Sequence, residues 1–234
     1  MHARDREITV IGAGVAGLAV ARALALRGAR VTILEQAAEV TDIGAGLQIS
    51  PNGAVVLEAL GLGAALEGAG LRATAVELRD GRDGGLVTRL DLGRGAASGQ
   101  RAGYRFVHRA DLIALLHEGA RAAGVEIRLA RQVTGLRLDP GAGAVLELAG
   151  GERLGAGLVI GADGIHSVLR SALEGRVAPF FTHQVAWRAV IPAEAGAPPV
   201  AEVHMGAGRH LVSYPLRGGR LRNIVAVEER HAWV

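Results

Sequence analysis

The apolar run Ile8-Thr-Val-Ile11, followed at once by Gly12-Ala-Gly14-Val-Ala-Gly17, constrains this chain more than any other feature. A strand that feeds a glycine turn and then a helix aims free backbone N–H groups and the positive helix end at one point. That point suits a pyrophosphate. Gly12 permits the tight turn, Gly14 lets phosphates approach the backbone, and Gly17 lets the helix lie close on the strand. A second run, Arg30-Val-Thr-Ile-Leu34, ends in Glu35. An acid about 20 positions beyond the glycines is where a carboxylate meets adenosine ribose hydroxyls. A glycine-rich turn with no ligand is the alternative. It is the weaker reading, because strand, glycines, helix, strand and acid follow in order within the first 35 residues.

At 234 residues, half of them hydrophobic, the chain can build one large core or two smaller ones. It has no cysteine, which excludes disulfides, thiolate metal sites and a cysteine nucleophile, and fits a reducing, cytoplasmic setting. All 26 basic residues are arginine, yet the net charge is only +3. With no basic block and no aromatic interleaving, nucleic-acid binding is not expected. The N-terminal apolar run is broken by Arg22 and Arg27, so it reads neither as a signal peptide nor as a membrane span.

The first 35 residues read β-α-β and imply a parallel sheet. A glycine-punctuated loop over 42–53 leads into a helix at Ala54–Leu60. Residues 73–92 alternate like antiparallel strands, and 94–103 form a polar linker. Arg109–Ala123 is a helix with Leu112, Leu115 and Leu116 on one face, and Val125–Leu129 a further parallel strand. Gln132–Leu138 and Ala144–Leu148 suggest a meander turning at Asp139-Pro-Gly141. Leu158-Val-Ile160 is an apolar run of the kind buried in parallel sheets, followed by a helix at Ser167–Leu173. From Pro179 onward, Val185–Ile191, Ala201–His204, His210–Tyr214 and Arg222–Val227 read as antiparallel strands. The expected division is a nucleotide-binding α/β body over 1–71 and 103–178, with a β-rich layer from 72–102 and 179–234.

Three further constellations carry chemistry. Gly161-Ala-Asp163-Gly164 ends an apolar strand, where ligands of open α/β sheets collect. Asp163 can accept from a ribose there or cap the helix near Ser167, and residue types alone leave those readings even. Arg170 can reach a phosphate, pair with Asp163, or lie on the surface. Arg109-Ala-Asp111 opens a helix whose guanidinium suits phosphate or ribose oxygens, or forms a salt bridge. The histidines show no metal-ligand spacing, and no Gly-x-Ser-x-Gly elbow is present.

Together these sites resemble the class A, single-component FAD-dependent aromatic hydroxylases, the para-hydroxybenzoate hydroxylase family, and within it the salicylate hydroxylase and 3-hydroxybenzoate 6-hydroxylase branch. The resemblance covers Ile8 to about Val227. It implies an α/β fold with a Rossmann-like FAD-binding domain (GR2 type) and a β-rich substrate domain. Gly12, Gly14, Gly17 and Glu35 match the FAD adenosine-diphosphate fingerprint. Asp163, with Ser167 and Arg170, matches the family's Asp-Gly motif, and Arg109 its FAD-contacting arginine. Ile43-Gly-Ala-Gly46-Leu-Gln48 matches the segment beside the isoalloxazine, which assigns Gly46 and Gln48 to the cofactor. His210-Leu-Val-Ser-Tyr214 matches the substrate-side strand. His210 and Tyr214 are the implied catalytic pair, the imidazole taking a phenol proton; a surface histidine and a core tyrosine are the alternative. Arg188 of Trp187-Arg188 can bind a substrate carboxylate or brace the sheet.

The implied function is an NAD(P)H-consuming monooxygenase that uses FAD and O2 to hydroxylate a small aromatic substrate through a flavin C4a-hydroperoxide. The family's later Gly-Asp motif has no counterpart before Val234, so the expectation includes a C-terminally incomplete fold and weak FAD retention. A homodimer or a complementing C-terminal chain is compatible with this. Two rival readings are a non-catalytic, partner-dependent dinucleotide-binding fragment and a plain NAD-dependent dehydrogenase; the Asp163 motif argues against the latter.

Overall fold

The computed structural model describes residues 3–40, 44–93, 103–139, 143–193 and 196–232. In chain order its elements are β1 (Glu7–Ile11), α1 (Val15–Ala25), β2 (Arg30–Leu34), β3 (Gly46–Ile49), α2 (Pro51–Ala59), α3 (Gly63–Ala69), β4 (Gly70–Arg72), β5 (Ala75–Asp80), β6 (Leu86–Asp91) and β7 (Arg105–His108). There follow α4 (Arg109–Ala122), β8 (Glu126–Arg128), β9 (Val133–Asp139), β10 (Gly143–Leu148), β11 (Arg153–Ala156), β12 (Leu158–Gly161) and α5 (Val168–Glu174). The last are β13 (Gln184–Pro192), β14 (Val200–Gly206), β15 (Arg209–Leu216), a 3-10 turn at Arg217–Gly219 and β16 (Leu221–Glu229). They form two compact units, 1–42 with 113–178 and 43–112 with 179–234.

In the first unit, β12, β1, β2 and β8 make a parallel sheet in that order. Ile8, Val10, Val31 and Ile33 are β-branched and buried on one face, and Ile11 and Leu34 are buried on the other. Helix α1 buries Gly17, Leu18 and Ala21, a spacing that puts one narrow stripe inward. An antiparallel meander β11-β10-β9 supplies a second layer. Its Val133, Leu146, Leu148 and Ala156 pack with Ile11 and Leu34, at the ends of β1 and β2, and with Leu169 of α5. This small core fixes the strand ends from which the loops of the site emerge.

The second unit has a six-stranded sheet, β13-β16-β15-β14-β5-β6, and a three-stranded sheet, β3-β7-β4. Phe106 of β7 packs with Ala73, Ala201, Tyr214 and Leu216. Its ring lies 5.0 Å from that of Tyr214. Burying such a ring contributes roughly 2–3 kcal/mol.

Most expected elements form close to their expected bounds. Several differ for identifiable reasons. The stretch read as a loop contains strand β3, because its backbone pairs with β7, about 60 positions onward. Helix α2 starts earlier than expected, at Pro51, whose fixed φ and missing N–H suit a first helical position. Strand β14 pairs antiparallel with β15 but parallel with β5. Strand β12 is not buried on both sides but is the sheet's edge among the described residues, with Leu158 42% exposed. The compact units divide at 42/43 and 112/113 rather than at 71/72 and 102/103, because β3, β4 and β7 pair with each other and pack with Tyr214. Residues 41–43, 94–102 and 140–142, which hold Ile43, the polar linker and the Pro-Gly turn, lie outside the described residues.

Leu146 is fully buried at the centre of the meander core. Leu146→Ala is expected to cost about 3 kcal/mol, from lost transfer energy plus the cavity. Urea denaturation followed by far-UV circular dichroism checks this.

Candidate functional site

The turn after β1 is shaped by a backbone contact. Gly12 sits at φ +98°, and a Cβ there would lie 2.5 Å from the Ala162 carbonyl oxygen. The Gly12 N–H donates to Leu34 O at 2.8 Å, and the Ala162 N–H to Ile11 O at 2.8 Å. The glycine turn and the 161–164 loop therefore meet, as β1 and β12 are neighbours in register. A Cβ on Gly17 would overlap the Gly12 carbonyl oxygen. Gly14 differs: a Cβ there meets nothing within 4 Å. Gly14 is the N-cap of α1 and makes no side-chain cap, so the first N–H groups of this 11-residue helix face the open side.

Glu35 closes the turn from the end of β2. Its Oε2 accepts from Ala13 N–H at 2.6 Å and its Oε1 from Ala37 N–H at 2.9 Å. Each carboxylate oxygen keeps a lone pair for a hydroxyl donor. A cleft of about 320 Å³ lies here, lined by Gly12, Gly14, Glu35, Arg131, Asp163 and His166 among others. The Gly14 face is open, and Glu35 keeps acceptor capacity toward this cleft. A larger groove of about 600 Å³ runs beside β12, lined by leucines including Leu136, Leu138 and Leu173. It lacks the glycine turn, the uncapped helix end and Glu35.

Asp163 is heavily engaged. Its Oδ1 accepts from Ser167 Oγ–H at 2.7 Å, and its Oδ2 from the N–H groups of Val168 (2.8 Å) and Leu169 (3.3 Å). Ser167 Oγ in turn accepts from Arg170 N–H at 3.0 Å. The capping role is therefore visible, and it holds the 161–164 loop against the glycine turn. Arg170 donates to Ile165 O at 2.6 Å rather than pairing with Asp163.

Local motifs did not reveal Arg131. It follows β8, the neighbour of β2, so sheet order carries it to the cleft. Its N–H donates to Glu35 O at 2.8 Å, and its guanidinium pairs with Glu152. Only the parallel order β1-β2-β8 could have signalled it, and three-residue β8 is too short to announce its place.

The remaining candidates belong to the second unit. Arg109 opens α4, its N–H donating to Ala45 O at 2.8 Å. Asp111, one turn of chain later, takes both ends of the Arg217 guanidinium, at 2.9 Å from Nε and 2.7 Å from a terminal nitrogen. Those hydrogen bonds hold the Asp111 carboxyl below the ordinary aspartate range, against the opposing effect of partial burial. Gly46 donates its N–H to Asn223 Oδ1 at 2.6 Å, and Gln48 accepts from the Tyr104 hydroxyl at 2.7 Å. His210 and Tyr214 point to one face of β15, which by register Arg188 also shares. They are not brought together: four strand steps separate them by about 13 Å. His210 is exposed, whereas Tyr214 is 3% exposed and its hydroxyl is pushed up to about 12, chiefly by burial, with Arg188 opposing. Among the described residues, no group of three or more His, Cys, Asp or Glu is placed to hold a metal ion.

This fold and cleft define a dinucleotide-binding protein of the Rossmann-like flavoprotein class. The model of the family described as "FAD binding domain" matches residues 5–229, and the chain belongs to that family. The chain is similar to monooxygenases and hydroxylases whose names describe hydroxybenzoate substrates. It is 40% identical over 228 residues to a 3-amino-4-hydroxybenzoate 2-monooxygenase of Streptomyces cremeus, covering 96% of this chain and 57% of that protein. It is 38% identical over 228 residues to a 3-hydroxybenzoate 6-hydroxylase of Polaromonas naphthalenivorans (strain CJ2), covering 94% of this chain and 56% of that protein. Among solved structures, Klebsiella pneumoniae HpxO, complexed with FAD and uric acid, aligns with a TM-score of 0.84 at 25% identity, over 98% of this chain and 58% of that one. The chain thus spans a little over half the length of the relatives it matches.

Two outcomes follow from these contacts. Asp163→Ala removes an acceptor shared by three donors and is expected to cost about 1–3 kcal/mol, read as a lowered Tm. The Asp111–Arg217 pair contributes stability above the aspartate range. That contribution is lost as pH falls through and below about pH 4, so Asp111→Asn should flatten the acid limb of a stability-versus-pH curve.

Proposed function

We propose that this chain carries the FAD-binding and substrate-facing part of an FAD-dependent monooxygenase that hydroxylates a small aromatic acid. The observation that carries the reading is the cleft of the first unit. A bare glycine at an uncapped helix end lies beside a carboxylate that retains free lone pairs. Gly12, Gly14, Gly17 and Glu35 would hold the adenosine-diphosphate part, and Arg131 lies beside Glu35 to add positive charge. Asp163 would act on this cleft by fixing the loop beside Gly12. Arg109, Gly46 and Gln48 are proposed for the rest of the cofactor by resemblance.

When bound, FAD supplies hydride acceptance from NAD(P)H and activation of O2. The chain's own part is orientation and proton placement. Tyr214 keeps its proton at neutral pH, so it serves as a donor to a substrate oxygen rather than as a base. Arg188, on the same sheet face, is suited to a carboxylate. His210 is proposed to take the phenolic proton. The names of the two hydroxybenzoate-oxidising relatives support a hydroxybenzoate-like substrate. No helix among the described residues is long and apolar enough to cross a membrane; the proposal of a cytoplasmic setting rests on the cysteine-free composition.

The test starts from the purified chain mixed with FAD. Saturable quenching of flavin fluorescence on titration with FAD is expected, followed, with FAD in excess, by NAD(P)H-driven bleaching and oxygen uptake with hydroxybenzoates. Gly14→Val should abolish flavin uptake. A valine Cβ at that position meets no protein atom within 4 Å, so an intact thermal transition should accompany the loss. Undiminished flavin quenching in this variant, or no quenching by the wild-type protein, defeats the reading.

A further inference from the structure

Asn223 is fully buried on β16, opposite Tyr214 across the β15–β16 pair. Its Oδ1 accepts from Gly46 N–H, whereas its Nδ2 is buried with no hydrogen-bond partner among the described residues. Three groups converge on one point. A Cβ placed on Gly46 would lie 2.7 Å from the Tyr214 hydroxyl oxygen and 2.8 Å from Asn223 Cγ. Phe106 packs against the Tyr214 ring at 5.0 Å with an interplanar angle of 31°. A buried amide left half-satisfied is costly, and an apolar side chain of similar size would avoid that cost. The place is therefore held by an amide for what its two ends do.

We propose that Asn223 is a positioning residue of the proposed substrate site, its carbonyl oxygen holding Gly46 of β3 and its amide orienting the Tyr214 phenol. This rests on the monooxygenase reading above. Tyr214 donates its proton to an acceptor oxygen on the ligand, a carboxylate or phenolate of an aromatic acid. The phenol oxygen then gains by accepting from Asn223 Nδ2–H, and the two hydrogen bonds polarise one another. Because Gly46 lacks a side chain, the amide, the phenol and the β3 backbone can share one small volume. Asn223 acts through Tyr214 and Gly46 and touches no reacting atom.

The chain has only two tyrosines, Tyr104 and Tyr214, which makes the idea testable by NMR with tyrosine labelled at the ring carbon bearing the hydroxyl. Tyr104→Phe assigns the two signals. In Asn223→Ala, the Tyr214 signal should shift while that of Tyr104 stays, and Gly46 N–H exchange should quicken at least tenfold. Asn223→Asp keeps the oxygen that Gly46 needs, so Gly46 protection should return. Its buried carboxyl can donate only when protonated, so the Tyr214 signal should become pH-dependent where the parent protein is flat. Added 3-hydroxybenzoate should move the Tyr214 signal in the parent, with at least tenfold weaker affinity in Asn223→Ala. If Asn223→Asp does not fold, Asn223→Ala decides alone, Tyr104 reporting folding and Tyr214 orientation. An unmoved Tyr214 signal in Asn223→Ala, or Asn223→Asp matching it at every pH, overturns the proposal. A shifted Tyr214 signal in a chain that takes up neither FAD nor 3-hydroxybenzoate would leave Asn223's hold on Gly46 and Tyr214 intact and defeat the monooxygenase reading instead.

Discussion

The first unit depends on a backbone-to-backbone contact between Gly12 and Ala162. No side chain fits between them, and the positive φ at Gly12 turns the chain so that α1 begins directly above the sheet. Glu35 ties the turn from one side, and the loop capped by Asp163 closes it from the other. That contact places the glycine turn and the 161–164 loop, while sheet order brings Glu35 and Arg131 to the same cleft. The two carboxylates that resemblance assigns to a ligand are also structural acceptors. Binding capacity and fold stability thus share the same atoms, and in Asp163 the structural part dominates.

The second unit solves a different problem. It carries little regular helix, and its two sheets meet around Phe106, which packs with Tyr214, Leu216 and Ala201, and around one buried amide, Asn223. The aromatic pair supplies hydrophobic burial, which has no directional preference. The amide supplies direction, fixing where β3 lies against the strands that present Tyr214. A fork between Asp111 and Arg217 fixes the start of α4 in the same way. Arg217 adopts φ +47°, a conformation unusual for a residue with a Cβ, and the bidentate pair offsets that local strain.

The glycine turn and the β-α-β order were legible because their information is local. Gly12 is required by its own φ, and the strands on either side of α1 announce themselves by β-branched runs. Asp163 remained ambiguous because an acid before a helix serves as a cap or as a ligand contact with the same residue types. Strand β3 was missed because four residues, the first a glycine, show no period of their own; their partner lies far along the chain in β7. Arg131 was missed because its value comes from sheet order. His210 and Tyr214 share a face, as period two requires, but their unequal burial could not be read from spacing.

By itself the sequence determined the chemistry available at the opening turn, the family to which the chain belongs and the succession of most strands and helices. These properties are written in neighbours a few residues apart, where φ restrictions and alternation act directly. Tertiary structure alone decided that Asn223 meets Gly46 across 177 positions and that Arg131 lies beside Glu35. It also decided that Tyr214 is buried while His210 is exposed. Such juxtapositions depend on which strands pair and which faces are covered, and those follow from the free energy of burying many side chains at once, which no local stretch of sequence encodes.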